Sequence, residues 1–258
     1  MTGFRLTAEA RKVMLGDLSD VVLDLFCGDG GAARGYMAAG YRVIGVDRDD
    51  HSRHYPGAFV QGDALEFLAE FGWLFKRRHA SPPCQGYSIA TAGTLARFNH
   101  QRLIGVTREL IQAHPGQWVI ENVELAARQM RNPVMLCGRM FDLTAVDEDG
   151  AKLVLDRHRL FESNFLPEPP LHPVHGDELV GGVYGGSRRA KRERGESLSS
   201  VAPRDRYEAK HVRKGGYVPR SRRVKERLLG LPADVMTLKG MDECIPPVYA
   251  EWVGRRLS

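Results

Sequence analysis

The sequence predicts an α/β protein, a doubly wound parallel sheet carrying a small, loop-rich lobe. Three observations predict it. An apolar run, Val21 to Phe26, ends in a glycine-rich turn, Cys27 to Gly31, and leads through a helical stretch into a second apolar run that ends in an acid at Asp47. Short apolar runs then recur as far as Ile120 with helical stretches between them, the order expected of parallel strands joined by crossovers. After about Leu160 that regularity breaks down into Pro, His, Gly and a run of basic residues.

Taken in order, Val21 to Phe26, the glycine turn, Ala32 to Ala39 closed by Gly40, and Arg42 to Asp47 form an opening βαβ unit. Ala58 to Gln61, before Gly62-Asp63, predicts a third strand. Trp73 to Phe75 leads towards a fourth that ends at Ser81-Pro82-Pro83. Gln101 to Ala113 has helical character, and Trp118 to Ile120 predicts a fifth strand ending at Glu121-Asn122. Pro and His cluster from Leu166 to His175, and glycines follow at Gly181, Gly182, Gly185 and Gly186. Regular alternation returns near Val224 to Leu231, and Val248 to Leu257 reads as a helix returning to the main domain. The predicted division is 1-160 with 224-258 as one domain and 161-223 as an inserted lobe.

With 258 residues, 43% of them hydrophobic, the chain can bury one sizeable core and a smaller lobe. No apolar run approaches the roughly 20 residues of a membrane-spanning helix. Met1 to Asp20 lacks the apolar stretch of a signal peptide, so a cytoplasmic protein without a membrane partner is expected. Cys27, Cys84, Cys137 and Cys244 are too far apart to read as a metal knuckle. Free thiols and no metal are expected. The formal charge of +5 is unevenly spread. Gly185 to Lys225 holds 14 Lys and Arg against 4 Asp and Glu, a net of +10, which leaves −5 for the rest. Such a segment suits a polyanion, because phosphate neutralisation supplies most nonspecific nucleic-acid affinity. A solvated basic loop has the same composition.

Three clusters carry chemistry. The glycine turn lets backbone approach a nucleotide-like ligand, and an acid at the tip of the second strand, Asp47, can bind ribose hydroxyls; nicotinamide and flavin enzymes share this logic. Ser81-Pro82-Pro83-Cys84-Gln85-Gly86-Tyr87-Ser88 presents a cysteine after two prolines that stiffen the loop and withhold amide donors. That suits a covalent nucleophile, or simply a buried cysteine in a turn. Trp118 to Val123 puts the carboxylate of Glu121 at the end of an apolar strand. In a shared cleft, burial would raise its pKa and make it a proton source; alone it reads equally as a helix N-terminal charge.

Together these clusters resemble the cytosine carbon-5 DNA methyltransferase family. Its hallmarks stand here in order: DLFCGDGG (Asp24 to Gly31), Asp47, Gly62-Asp63, SPPCQ (Ser81 to Gln85), ENV (Glu121 to Val123), Arg157-His158-Arg159, RLLGLP (Arg227 to Pro232) and Ile245-Pro246-Pro247. The resemblance spans about Val21 to Leu257. It implies a Rossmann-like, S-adenosylmethionine-dependent methyltransferase sheet with a small target-recognition lobe. The donor would become S-adenosyl-L-homocysteine, and the partner would be double-stranded DNA, met by a monomer in a bacterial or phage-infected cell. A solitary enzyme and the partner of a restriction enzyme both remain open.

The resemblance also implies roles. The target cytosine is flipped from the duplex; the Cys84 thiolate attacks carbon 6 while Glu121 holds the ring nitrogen and exocyclic amine, and carbon 5 takes the methyl group. Arg159 and Arg157 neutralise charge around the base, and Asn122 orders the strand end. Asp24, Phe26, Gly28, Gly30, Gly31, Asp47, Asp63, Pro83 and Glu243 surround the donor. Gln85 to Arg102 forms a loop closing over the base, with Gln85, Ser88, Arg97 and Arg102 on DNA beside Arg188, Arg189, Lys191, Arg192, Arg213, Lys214 and Arg220. Three departures stand out. Lys76-Arg77-Arg78 replaces an apolar run, which predicts a short or irregular strand. The lobe has only about sixty residues. Asp242-Glu243-Cys244 replaces the usual Gly-Asn, placing a carboxylate near the donor's methionine end and leaving a modified donor open. An RNA carbon-5 methyltransferase is the rival enzyme, although that branch's Cys-Phe-Thr is absent; a silent DNA-binding relative is the non-enzymatic rival.

Overall fold

The computed structural model describes residues 3–84, 102–183, 219 and 221–258. They pack as two compact units. One comprises Met1–Leu136, His158–Pro169 and Pro247–Ser258; the other comprises Cys137–Arg157 and Pro170–Pro246.

The first unit is built on an eight-stranded sheet. Its strands are β1 (Arg5–Leu6), β2 (Val21–Leu25), β3 (Arg42–Asp47), β4 (Ala58–Gln61), β5 (Arg77–Ala80), β6 (Gln117–Val123), β7 (Val134–Leu136) and β10 (Arg159–Ser163), in the order β1-β4-β3-β2-β5-β6-β10-β7. The run β4-β3-β2-β5-β6 is parallel. β1, β10 and β7 pair antiparallel to their neighbours. All five residues of β2 are buried, as a central strand covered on both faces requires. Among the described residues, four helices accompany this sheet besides the C-terminal one: α1 (Ala8–Met14), α2 (Gly31–Ala38), α3 (Ala64–Phe71) and α4 (Ile104–Gln112). α1, α3 and α4 feed one core with Leu23, Leu25, Ile44, Val46 and Ile120. The predicted α/β architecture is what forms, and β3 and β4 have the predicted bounds.

Lys76-Arg77-Arg78 predicted a short or irregular strand: β5 is short, at four residues, yet it pairs in regular parallel register with both β2 and β6. Arg78 explains how. It is 1% exposed, and its guanidinium donates to the carbonyls of Gly72, Phe75, His114 and Pro115 at 2.6–3.1 Å. The guanidinium thereby finds four backbone acceptors, as a buried charge requires. Trp73, expected to lead into this strand, stands instead in a single 3-10 turn, Gly72–Leu74.

The C-terminal helix returns as predicted, as the helix Pro247–Gly254, and it packs on α2. The approach is close at Gly35, where a Cβ would meet the Pro247 carbonyl oxygen at 2.0 Å. A buried ion pair was not anticipated. Arg108 on α4 grips Glu162 on β10 through both carboxylate oxygens, at 2.5 and 2.7 Å.

The second unit has a three-stranded sheet made of β8 (Thr144–Val146), β9 (Lys152–Val154) and β11 (Leu179–Val180), in the order β11-β9-β8. Two helices accompany it, α5 (Arg222–Leu229) and α6 (Leu238–Glu243). Val224, Leu228 and Leu229 of α5 join Leu153, Leu155, Met236 and Met241 in its core. α5 starts at Ser221, whose hydroxyl accepts from the Val224 amide. It stops at Gly230, whose φ of 69° ends the helix. Packing thus divides the chain differently from composition. Residues 137–157 and 224–246, expected in the main domain, belong here, while β10 carries the main sheet past residue 161. No helix among the described residues is long and apolar enough to cross a membrane.

Candidate active site

β2, β5 and β6 lie side by side and parallel, so Leu25, Ala80 and Ile120 stand in one line across the sheet. The residues just beyond them therefore emerge at a single edge. The glycine turn follows Leu25, Ser81-Pro82-Pro83-Cys84 follows Ala80, and Glu121-Asn122 closes β6. This carboxyl edge is where open α/β sheets bind their ligands. The three sequence clusters meet there, all within the first unit.

The turn after β2 is tightly wound. Phe26, Gly28 and Gly30 have φ of 58°, 50° and 82°. The left-handed region is natural for the glycines and a strain for Phe26, the kind of outlier that gathers at ligand sites. A Cβ on Gly28 would meet nothing within 4 Å, whereas one on Gly30 would strike Pro56 at 2.4 Å. Gly30 is thus required by packing, and Gly28 leaves its backbone open to a ligand. Gly31 starts α2. Asp47, at the tip of β3, accepts from the Gly28 amide at 3.0 Å and so locks the turn to the second strand.

Asp24 is buried, with one carboxylate oxygen taking a hydrogen bond from Tyr55 at 3.1 Å and the other without a hydrogen-bond partner among the described residues. Burial pushes its pKa up to about 7 against the pull of the Tyr55 hydroxyl. An open glycine, a strand-tip acid and an orphaned buried oxygen together fit a nucleoside-bearing cofactor.

The loop that carries Cys84 is held from three sides. The Ser81 amide donates to the Leu25 carbonyl at 3.0 Å. The Asn122 side chain donates to the Pro82 carbonyl at 2.9 Å and accepts the Val123 amide at 3.0 Å. Behind them, His79 links the Tyr36 hydroxyl at 2.8 Å to the Ser81 hydroxyl at 2.7 Å. Burial pushes the His79 pKa down to about 3, so its ring is neutral and bridges two hydroxyls. Cys84 is partly exposed and forms no disulfide.

Glu121 and Arg159 form a buried pair across β6 and β10, with Nε to Oε1 at 3.0 Å and both side chains under 10% exposed. Desolvated charges persist when paired, and this guanidinium is also fixed by the His158 carbonyl at 2.8 Å.

Asp63, expected on the donor, is engaged as a cap. One oxygen accepts the Leu65 and Glu66 amides at the start of α3, and the other pairs with Arg48 at 2.7 Å. In the second unit, Arg157 donates through Nε to the Cys244 carbonyl at 2.9 Å and through Nη2 to the Asp242 carbonyl at 2.8 Å. Glu243 is exposed at the last position of α6. Arg102 is exposed just ahead of α4. Gln85, Ser88, Arg97, Arg188, Arg189, Lys191, Arg192, Arg213, Lys214 and Arg220 lie outside the described residues, as does nearly all of the proposed closing loop.

Sequence reasoning missed His51. Its Nδ1 faces Asp29 at 2.7 Å, its Nε2 lies 3.8 Å from Asp47, and the Asp29 contact raises its pKa. The four-residue spacing from Asp47 was the one available signal. Tyr36, Tyr55 and His79 carried none.

No protein-family model and no curated protein matches the sequence. Among solved structures, the chain is similar to a protein assigned as a DNA modification methyltransferase encoded within an E. coli prophage, with 16% identity, 92% of this chain and 98% of that chain covered, and a TM-score of 0.48. S. pombe Dnmt2 methyltransferase is similar at 15% identity, with 91% and 96% covered and a TM-score of 0.48. Entamoeba histolytica methyltransferase EhMeth follows at 13% identity, with 94% and 95% covered and a TM-score of 0.44.

Proposed function

We propose that the protein is a DNA cytosine carbon-5 methyltransferase that uses Cys84 as a covalent nucleophile. One observation carries the reading. The glycine turn, the Pro-Pro-Cys loop and Glu121-Asn122 stand on adjacent parallel strands, and Asn122 ties two of them together through Pro82.

Cys84 forms a bond to carbon 6 of a flipped cytosine, and the displaced electron pair moves to carbon 5. Glu121, held by Arg159, anchors the ring nitrogen and the exocyclic amine. S-adenosylmethionine, when bound, supplies an electrophilic methyl group. Loss of the carbon-5 proton to solvent then expels the Cys84 sulfur and restores the ring. Asp24, Gly28 and Asp47 are the residues suited to hold the donor's nucleoside. Asp63 serves first as the cap of α3. Arg157, committed to two backbone carbonyls, steadies the 242–244 turn and leaves the base to Arg159.

DNA is assigned as the polymer because the Cys-Phe-Thr of the RNA-modifying branch is absent from the sequence, and the basic excess between Gly185 and Lys225 suits a polyanion of either kind. Incubating duplex DNA or transfer RNA with the protein and donor, followed by nucleoside mass spectrometry, tests this reading. The expected result is 5-methylcytosine in DNA, none with Cys84→Ser, and a trapped adduct on 5-fluorocytosine DNA. Product in RNA alone would reassign the polymer, and no product in either would overturn the enzyme.

A further inference from the structure

We infer that Cys137, His172 and His175 form a binding site for a zinc-like divalent cation in the second unit, distinct from the proposed methyl-transfer site and independent of that reading. Their ligand atoms all lie within 4.8 Å of one another. Cys137 is fully buried just ahead of the 3-10 turn Gly138–Phe141, and its Sγ stands 3.5 Å from His175 Nε2. A tetrahedral zinc with bonds of about 2.3 Å to sulfur and about 2.0 Å to nitrogen holds those two atoms about 3.5 Å apart. The two imidazoles come from His172-Pro173-Val174-His175, and their rings stack with centroids 5.0 Å apart and planes 25° apart.

The surroundings of His175 point the same way. Its second nitrogen, Nδ1, faces Asp156 Oδ2 at 3.1 Å, which leaves Nε2 turned towards the sulfur. Metal-bound histidines generally donate their other ring nitrogen to a carboxylate, which fixes the tautomer and strengthens the ligand. Asp156 is itself held by Arg139 at 2.5 Å, and Arg139 reaches Glu178 at 2.7 Å. A soft thiolate with two imidazoles selects zinc-like cations over magnesium or calcium, which prefer oxygen. The expectation of four unrelated thiols and no metal arose because Cys137 lies 35 residues before the histidine pair, and no local spacing signals the site.

Cobalt(II) serves as the probe. Titrating the metal-stripped full chain should give one equivalent of bound cobalt with a thiolate-to-cobalt charge-transfer band, which zinc displaces. Cys137→Ser should lose the band, while Cys244→Ser and Cys27→Ser keep it. Asp156→Asn should weaken affinity about 10–100-fold with the band retained, as an orienting carboxylate predicts. Because the titration on the unmodified chain stands alone, a variant that fails to fold does not blunt the test. No band in the wild type, or a band that survives in folded Cys137→Ser, would overturn the site.

Discussion

The side-chain amide of Asn122 donates to the carbonyl oxygen of Pro82 at 2.9 Å, tying the end of β6 to the loop that presents Cys84. Pro82 and Pro83 have no amide hydrogens, so this loop cannot secure itself through backbone donors at those positions, and the clamp must come from outside. Asn122→Ala should therefore leave the fold intact at a cost of about 1–2 kcal/mol. Turnover should fall about 100-fold, since a misplacement of about 1 Å of a reacting group costs that much. Donor affinity should stay unchanged. Single-turnover assays and donor calorimetry check this, and an unaltered rate would mean that the clamp does not position the thiol.

The two buried Arg–Glu pairs should behave differently. Arg159→Met removes the charge paired with Glu121, and Arg108→Met removes the charge paired with Glu162, which keeps the Arg131 amide; each should destabilise the protein by about 3 kcal/mol. Only Arg159→Met should also remove activity from the fraction that remains folded, because its partner stands at the carboxyl edge. Denaturant melts together with rates measured well below the transition separate the two. Equal activity in both variants would take Glu121 out of the chemistry.

The pH dependence of stability has two limbs. His51 has a raised pKa in the fold, so its contribution is complete below the unfolded value of 6.5 and disappears as pH rises through the folded value. His79 is pushed down to about 3, so the unfolded chain takes up a proton first and stability falls as pH drops from 6.5 towards 3. Asp24, raised to about 7, loses stability with rising pH between 3.8 and 7, so the difference between variants is what isolates His51. His51→Ala should flatten the decline above pH 6.5 and leave the acid limb in place. Parallel limbs in thermal melts of both proteins would show that His51 does not titrate against Asp29.

The basic segment should set the salt dependence of DNA binding. Neutralising Arg188, Arg189, Lys191 and Arg192 together should flatten the plot of log affinity against log salt by up to about 0.9 per lost phosphate contact. A slope unchanged from wild type would make the stretch a solvated loop away from DNA.

Much of the sheet was legible because periodicity and punctuation are local. Arg42 to Asp47 and Ala58 to Gln61 are short apolar runs that stop where acid and glycine stop them. Arg78 was not legible in the same way. A charged residue in a strand reads as a disruption until the carbonyls of Gly72, Phe75, His114 and Pro115 come around it, and those lie up to 37 residues away. The recurrence of Val224 to Leu231 was visible, but the core it joins was not, because composition records no partner.

The sequence by itself determined where the strands fall along the chain, the glycine turn, the stiff Pro-Pro-Cys loop and the acid near the end of β6, since each follows from a few neighbouring side chains. Only the tertiary structure decided that β2, β5 and β6 are adjacent, that Asn122 holds Pro82, that Glu121 meets Arg159, and that Cys137 faces His175. The last three are contacts between residues 38 to 40 positions apart, and β2 and β5 pair residues 55 apart. They arise when crossovers lay distant strands side by side and burial leaves each polar group only the partners that packing brings to it.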